Sequence, residues 1–477
     1  MDNLAKKTQI ASAIDTEYLN GADADTFYDP VRGASFIVDN KNYPHTSYVR
    51  DIGNSENFFQ TLYYEKYGTL MTDARLKKAI AYLDFNITNS GIENNAHLRV
   101  VKNGGRIYIN SGADWGFVVI SKKGVFIKDK VPVKFLINKN IGKLPKPDLD
   151  NPNIGKIKNY IRVNNSQYML IIVFILNCYI TDTHYLMLIL LGAPGSGKSF
   201  TSKVIKYLID NSNIMLRNQI RKPEDLIVAS RSSHLIDLNN LKTLSGPVQD
   251  TLCTMLTGGT ATSRTLFTNK EETAIATHNP VIINGIENVV SQSDLFDRSI
   301  VIHLNRLSDS AGGILSESQL WAEFVDDAPQ ILAGIFEALS MVLGVLENIK
   351  PQEKLNRMAD LSILGLATEE ALGWKKGSFT AGYNANLGIG QANVLEGSPV
   401  AQALIKIKEL NGFPFEGTYI ELVTRLNKYY DIGKIDPRKL RADIDHLAAP
   451  LLNLNGIKIT NLTRSNKGSK LKIELIK

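Results

Sequence analysis

Cysteine is almost absent from this chain: Cys178 and Cys253 are the two in 477 residues. Each stands alone in apolar sequence, without a C-x-x-C or a neighbouring histidine pair. That excludes a disulfide framework and argues against a structural zinc site. The seven histidines make no H-x-x-x-H pair, and no Ser-His-Asp constellation is visible. Ser316–Asn348 reads as a strongly apolar helical stretch, and one shorter run looks membrane-like. Tyr168–Leu176 is broken at Asn177 and again at Thr181-Asp182-Thr183-His184, well short of the ~20 residues a membrane span needs. It reads as a buried helix. The N-terminus has no apolar h-region of the signal-peptide kind. Repeats and low-complexity tracts are missing too. These absences predict a cytoplasmic protein with no membrane partner.

The chain's apolar share is 44% and its charged share 21%, an ordinary globular composition with room for about three domains. The formal charge of +6 is unevenly placed. Ala401–Lys477 holds 14 Lys/Arg against 8 Asp/Glu, and the preceding residues balance. A small basic C-terminal unit points to a polyanionic partner.

The strongest signal is Gly192-Ala193-Pro194-Gly195-Ser196-Gly197-Lys198-Ser199, a G-x-x-x-x-G-K-S loop. It follows the apolar run Tyr185–Leu191 and enters a helix-compatible stretch from Phe200. Strand, glycine turn and helix start together form a phosphate cradle: backbone N–H groups wrap the phosphate and the helix N-terminus adds partial positive charge. Lys198 is positioned for the β- and γ-phosphates, and the Ser199 hydroxyl for Mg2+. ATP and Mg2+ are therefore the expected substrate and cofactor.

The remainder divides into an α+β N-terminal domain (1–150), the nucleotide core (156–310), a helical connector (311–395) and a C-terminal domain (398–477). Strands are predicted at Ser35–Val38, Gly105–Ile109 and Gly116–Ile120, with helices at 56–67 and 73–86. Lys143–Gly155 reads as a linker. Ala381–Gly397, with four glycines and three asparagines, reads as a boundary. Beyond Ser398, three helices and a basic hairpin fit a winged helix. Asp436-Pro437 caps its third helix. That arrangement brings Arg438, Lys439 and Arg441 to DNA, with Arg464 and Lys467 on the wing.

An ATPase also needs an acid for the metal, a polar group for the attacking water and a cation for transition-state charge. Asn284, ending the apolar strand Pro280–Gly285, is the candidate polar group, and Arg298 before Ser299–His303 the cation. For the metal acid, His234-Leu235-Ile236-Asp237-Leu238-Asn239 offers two positions on one strand face. Either Asp237 serves the metal or Asn239 does so as a neutral ligand, with slow hydrolysis. Between the strands, Ser263–Thr268 and Thr273–Ala276 read as a hairpin carrying Lys270 near its tip.

The chain resembles the primase-helicase-like ATPases of phages, plasmids and integrated mobile elements, which have a superfamily 3-type AAA+ core. The resemblance runs through Gly105–Ile109 with Asp114-Trp115, Arg221–Leu226, Gly258-Gly259, Arg264–Thr268, Asn284–Glu287 and Arg357–Asp360. It implies an α/β fold with an AAA+ P-loop core and a winged-helix tail. The implied activity is that of an ATP-driven motor on single- or double-stranded DNA, a homo-oligomer of hexameric type that meets replication partner proteins. It makes Asn284 a sensor-1 residue, Arg298 an arginine finger completing the neighbouring subunit's site, and Lys270 a DNA contact in the central channel. It does not imply primase activity, since no primase catalytic domain is evident before residue 150. This chain departs from the family's Asp-Asn at the end of the Walker B strand. That departure leaves room for an ATP-gated DNA-binding or loader protein that barely hydrolyses, and an element-encoded defence ATPase shares the same scaffold.

Overall fold

The structure is a computed structural model that describes residues 26–39, 47–218, 220–264, 272–305, 316–350, 358–465 and 468–476. At its centre is a parallel sheet with strand order Ile236–Leu238, Val281–Gly285, Met187–Leu191, Ser299–His303. Every residue of Met187–Leu191 is buried. Side chains alternate across a strand, so Leu188 and Leu190 enter one apolar cluster and Met187, Ile189 and Leu191 the other. A sheet covered on both faces is what a continuous run of apolar residues encodes.

On the first face lie the helices Asn165–Asn177, Lys198–Asp210, Glu317–Val345 and Ala359–Ala371. The run 168–176 is thus an interior helix, opened by an Asn164/Gln167 capping box. Among the described residues one helical segment, Glu317–Asn348, is long and apolar enough to cross a bilayer. Its apolar residues pack in this first cluster. Lys143–Gly155 is anchored along that helix: Asp148 N–H donates to Pro329 O (3.0 Å) and Asn153 N–H to Gln330 O (2.9 Å). Gly334 permits this approach, because a Cβ there would stand 2.2 Å from Ile154 N.

The described part of the N-terminal region carries two sheets. One is five-stranded, with strands Thr26–Asp29, Ala34–Val38, Tyr48–Asp51, Lys134–Leu136 and Ala96–His97 in that order. The other is an antiparallel meander, Val100–Lys128. The meander's Ile107, Ile109, Val118 and Ile120 belong to the same cluster as the central sheet, and Ser340 Oγ donates to Ser121 O (2.7 Å). This part of the first 150 residues therefore shares its core with the centre of the molecule.

The expectation of a boundary over 381–397 is corrected. Ser378–Glu396 is one helix; breaks lie on both sides of it, at Gly373 and Gly377, both with positive φ, and at 397–398 before the helix Pro399–Glu409. Tertiary contacts outweigh the poor helix propensity of glycine and asparagine here. Asn386 donates to Val301 O (2.5 Å) and accepts from Val301 N (2.9 Å), capping the edge of the central sheet. Glu369 accepts from Gly377 N and Phe379 N at the start of the same helix.

The C-terminal unit runs helix Pro399–Glu409, strand Phe415–Thr418, helices Tyr419–Tyr429 and Pro437–Asn455, then strands Ile457–Ser465 and Gly468–Leu475. The first strand, unforeseen in the sequence, pairs with the last and completes a three-stranded sheet. Leu404, Leu422, Leu440 and Ile473 join the second cluster, so this unit packs onto the second face of the central sheet.

Candidate functional site

The G-x-x-x-x-G-K-S loop leaves the carboxyl end of Met187–Leu191 and enters the helix Lys198–Asp210. Gly192, Gly195 and Gly197 all have positive φ, a conformation costly for other residues. Gly192 is also sterically closed: a Cβ would lie 2.5 Å from Leu304 O and 2.6 Å from Ser196 Oγ. Ala193, Pro194 and Gly195 face solvent. Lys198 folds back over the loop, donating to Gly192 O (2.7 Å) and Ala193 O (2.9 Å). Among the described residues its side-chain partners are carbonyls alone, and partial burial lowers its pKa. A cation without a carboxylate partner at a helix N-terminus is suited to an anion.

The helix meets the neighbouring strand at two levels. Near the loop, Ser199 Oγ donates to Asn239 Oδ1 (2.9 Å). One turn further, Ser202 Oγ donates to Asp237 Oδ2. Positions i and i+3 of a helix line up with i and i+2 of a strand, so both sequence candidates face the helix. They differ in depth: Asp237 is 1% exposed. Burial pushes its carboxyl up to about 7, against the lowering effects of Ser202 and Lys206. Its Oδ1 has no hydrogen-bond partner among the described residues. Asn239, half-buried at the loop, is the residue beside Ser199. The Asp237 carboxylate thus lies in the helix–strand layer, one helical turn from the Ser199 hydroxyl.

Asn284 is 1% exposed, and its Oδ1 accepts from Asn240 N (2.7 Å). Its Nδ2 is buried without a partner among the described residues. Asn240 has φ +55°, an αL conformation that asparagine tolerates. Sequence reasoning passed over both Asn240 and Ser202. The i,i+3 serines at 199 and 202 were the signal for the second.

Arg298 stands at the other edge of the sheet. Its carbonyl accepts from Met187 N (2.9 Å), at the start of the strand that ends in the loop. With a rise of about 3.3 Å per residue the two sites are roughly 15 Å apart. Arg298 Nη1 pairs with Asp294 through Oδ1 and the carbonyl, both at 2.7 Å, and its Nε is buried without a partner among the described residues.

The hairpin pairs Gly259–Arg264 with Glu272–Thr277, beginning earlier than expected. Lys270 lies outside the described residues, as does Lys467. Arg464 falls on the strand Ile457–Ser465, its side chain outside the description. Arg438 and Lys439 are exposed at the start of the helix Pro437–Asn455, whose cap is Asp436 Oδ1 accepting from Arg438 N (2.8 Å). Arg441, also exposed, lies 3.9 Å from Asp445.

Residues 155–387 match a family described as the actinomycete integrative conjugative element replication protein. No curated protein matches. Among solved structures, the chain is 14% identical to the apo C-terminal region of NrS-1, covering 96% of this chain and 98% of that one, with TM-score 0.39. To the structure titled SCCmec type IV Cch, an active helicase, it is 11% identical over 95% of this chain and 93% of that one, with TM-score 0.46.

Proposed function

We propose that this protein is an ATP-dependent DNA motor of mobile-element replication, a helicase working as a hexameric ring. Its core would be a P-loop ATPase of AAA+ type and its tail a winged helix. The observation that carries the reading is the glycine cradle at the carboxyl edge of a parallel sheet, with Ser199 bonded to Asn239. The match of residues 155–387 to a replication-protein family supports it.

The residues present fit a nucleotide and its metal. Gly192 leaves no room for a side chain, and Lys198 holds only carbonyls that a phosphate would replace. The oxygens of Ser199 and Asn239 would hold Mg2+, which when bound neutralises charge on the β- and γ-phosphates. Asn284, with one amide proton pair unspent, would orient the attacking water. Arg298, too far from its own loop, would serve the next subunit's site. The Lys270 hairpin would hold the DNA backbone, and Arg438, Lys439, Arg441, Arg464 and Lys467 would bind duplex phosphates.

A second reading rests on the same contact. Asn239 offers a neutral oxygen where a carboxylate is the stronger metal ligand, which favours an ATP-gated binding or loading protein with little turnover. ATPase rates with and without single-stranded DNA separate the two. DNA-stimulated turnover lost in Lys198→Ala is expected of the motor. Tight ATP binding without DNA-stimulated turnover would overturn it in favour of the loader, and no ATP binding would overturn both.

A further inference from the structure

A second polar cavity lies away from the glycine loop. It is a cleft of about 440 Å³ between the N-terminal region and the central sheet, a volume within the range of small-ligand sites. Its core-side wall includes Tyr185, His234 and Asn279, each shortly before a sheet strand. The cleft therefore opens at the amino edge of the sheet, opposite the loop. Ala276 and His278 bring in the foot of the Gly259–Thr277 hairpin.

The lining is cationic and unspent. Arg32 enters from the N-terminal side and Arg231 from the end of the helix Pro223–Ser232. Asp29 is the one acidic residue of the lining, and backbone donors occupy it. Its Oδ1 accepts from Val31 N and Arg32 N, and its Oδ2 from Ala96 N. Arg32 spends its Nε on Ala96 O (2.8 Å), with Asp29 further off at 3.9 Å. Arg231 makes no hydrogen bond or ion pair among the described residues. Burial lowers the Arg32 pKa; Asp29 opposes this and the nearby Arg231 charge adds to it. Two guanidinium groups facing one cleft repel, and an anion between them relieves that repulsion.

Neutral imidazoles complete the wall. His278 Nε2 is buried with no partner among the described residues, while its ring lies tilted against Tyr185 with centroids 4.3 Å apart. Burial, reinforced by neighbouring positive charge, holds His97 and His278 down at about 4. Both are then neutral at pH 7, and the His278 ring also meets the Thr183 backbone.

We propose that this cleft is a phosphate-binding site, with Arg32 and Arg231 as the charged clamp. It is independent of the nucleotide reading of the glycine loop. The phosphate comes either from a free small ligand or from the backbone of a DNA strand passing the hairpin foot; the chemistry is shared and the test separates the sources.

The test uses full-length Lys198→Ala protein, which removes the loop as a competing phosphate site. Inorganic phosphate is titrated at constant ionic strength with thermal unfolding as readout, and a labelled oligothymidylate with fluorescence anisotropy. Each titration is repeated with Arg231→Glu and with the milder Arg231→Gln, at an exposed position where folding is not at stake. Phosphate affinity is expected to fall tenfold or more in both variants. If the ligand is a DNA strand, oligonucleotide affinity falls as well and the salt slope drops by about 1. A loss confined to inorganic phosphate identifies a free ligand. Unchanged phosphate and oligonucleotide affinities in both variants would overturn the proposal.

Discussion

The two ends of the helix Lys198–Asp210 are built on opposite principles. At its amino end polar groups are under-committed: Lys198 holds loop carbonyls, and Ser196 Oγ is buried without a partner among the described residues. At its carboxyl end every charge is answered. Asp210 pairs with Arg99 (3.2 Å) and Lys206 (3.2 Å), and accepts from His234 N and Leu235 N. Arg99, fully buried, also donates to Asn110 O, Gly142 O and Asn211 O. Lys206, Arg99 and His234 together hold the Asp210 carboxyl far below its usual range, overcoming the burial that raises it. One end leaves polar groups uncommitted; the other locks the helix to the N-terminal region.

Breaking the locked end should cost most. Asp210→Ala leaves two buried cations unpaired, and about 3–5 kcal/mol of stability should be lost, read as a fall in the denaturant midpoint. Breaking the uncommitted end should cost stability little and function much. Lys198→Ala should unfold within about 1 kcal/mol of wild type, while affinity for a fluorescent ATP analogue falls a hundredfold or more.

A smaller effect lies between the two ends, at Asp237. Its folded pKa, raised to about 7, exceeds the ordinary aspartate value. The native state therefore binds the extra proton, and this contribution to stability is full below about pH 4 and is lost as pH rises toward 7. The slope should approach 1.4 kcal/mol per pH unit within that window. Asp237→Asn should flatten it, measured as denaturant midpoints from pH 4.5 to 7.5.

Much of the site was legible because its chemistry is local. Eight consecutive residues specify the loop, and alternation specifies the strand before it. The choice between Asp237 and Asn239 was not legible. Asp237 and Asn239 share a strand face, and only the depth of the helix against it separates them. The Arg99–Asp210 pair joins residues 111 apart in sequence, so no spacing rule finds it. Ser378–Glu396 shows the converse: its glycines and asparagines carry a boundary signal locally, yet Asn386 is held by an edge strand distant in sequence.

The most direct measurement compares steady-state ATP turnover in Asn239→Asp and Asp237→Asn with wild type, at saturating Mg2+ and single-stranded DNA. With Asn239 at the metal position, Asn239→Asp should raise turnover tenfold or more and Asp237→Asn should leave it within twofold. Turnover abolished by Asp237→Asn and untouched by Asn239→Asp would contradict the assignment.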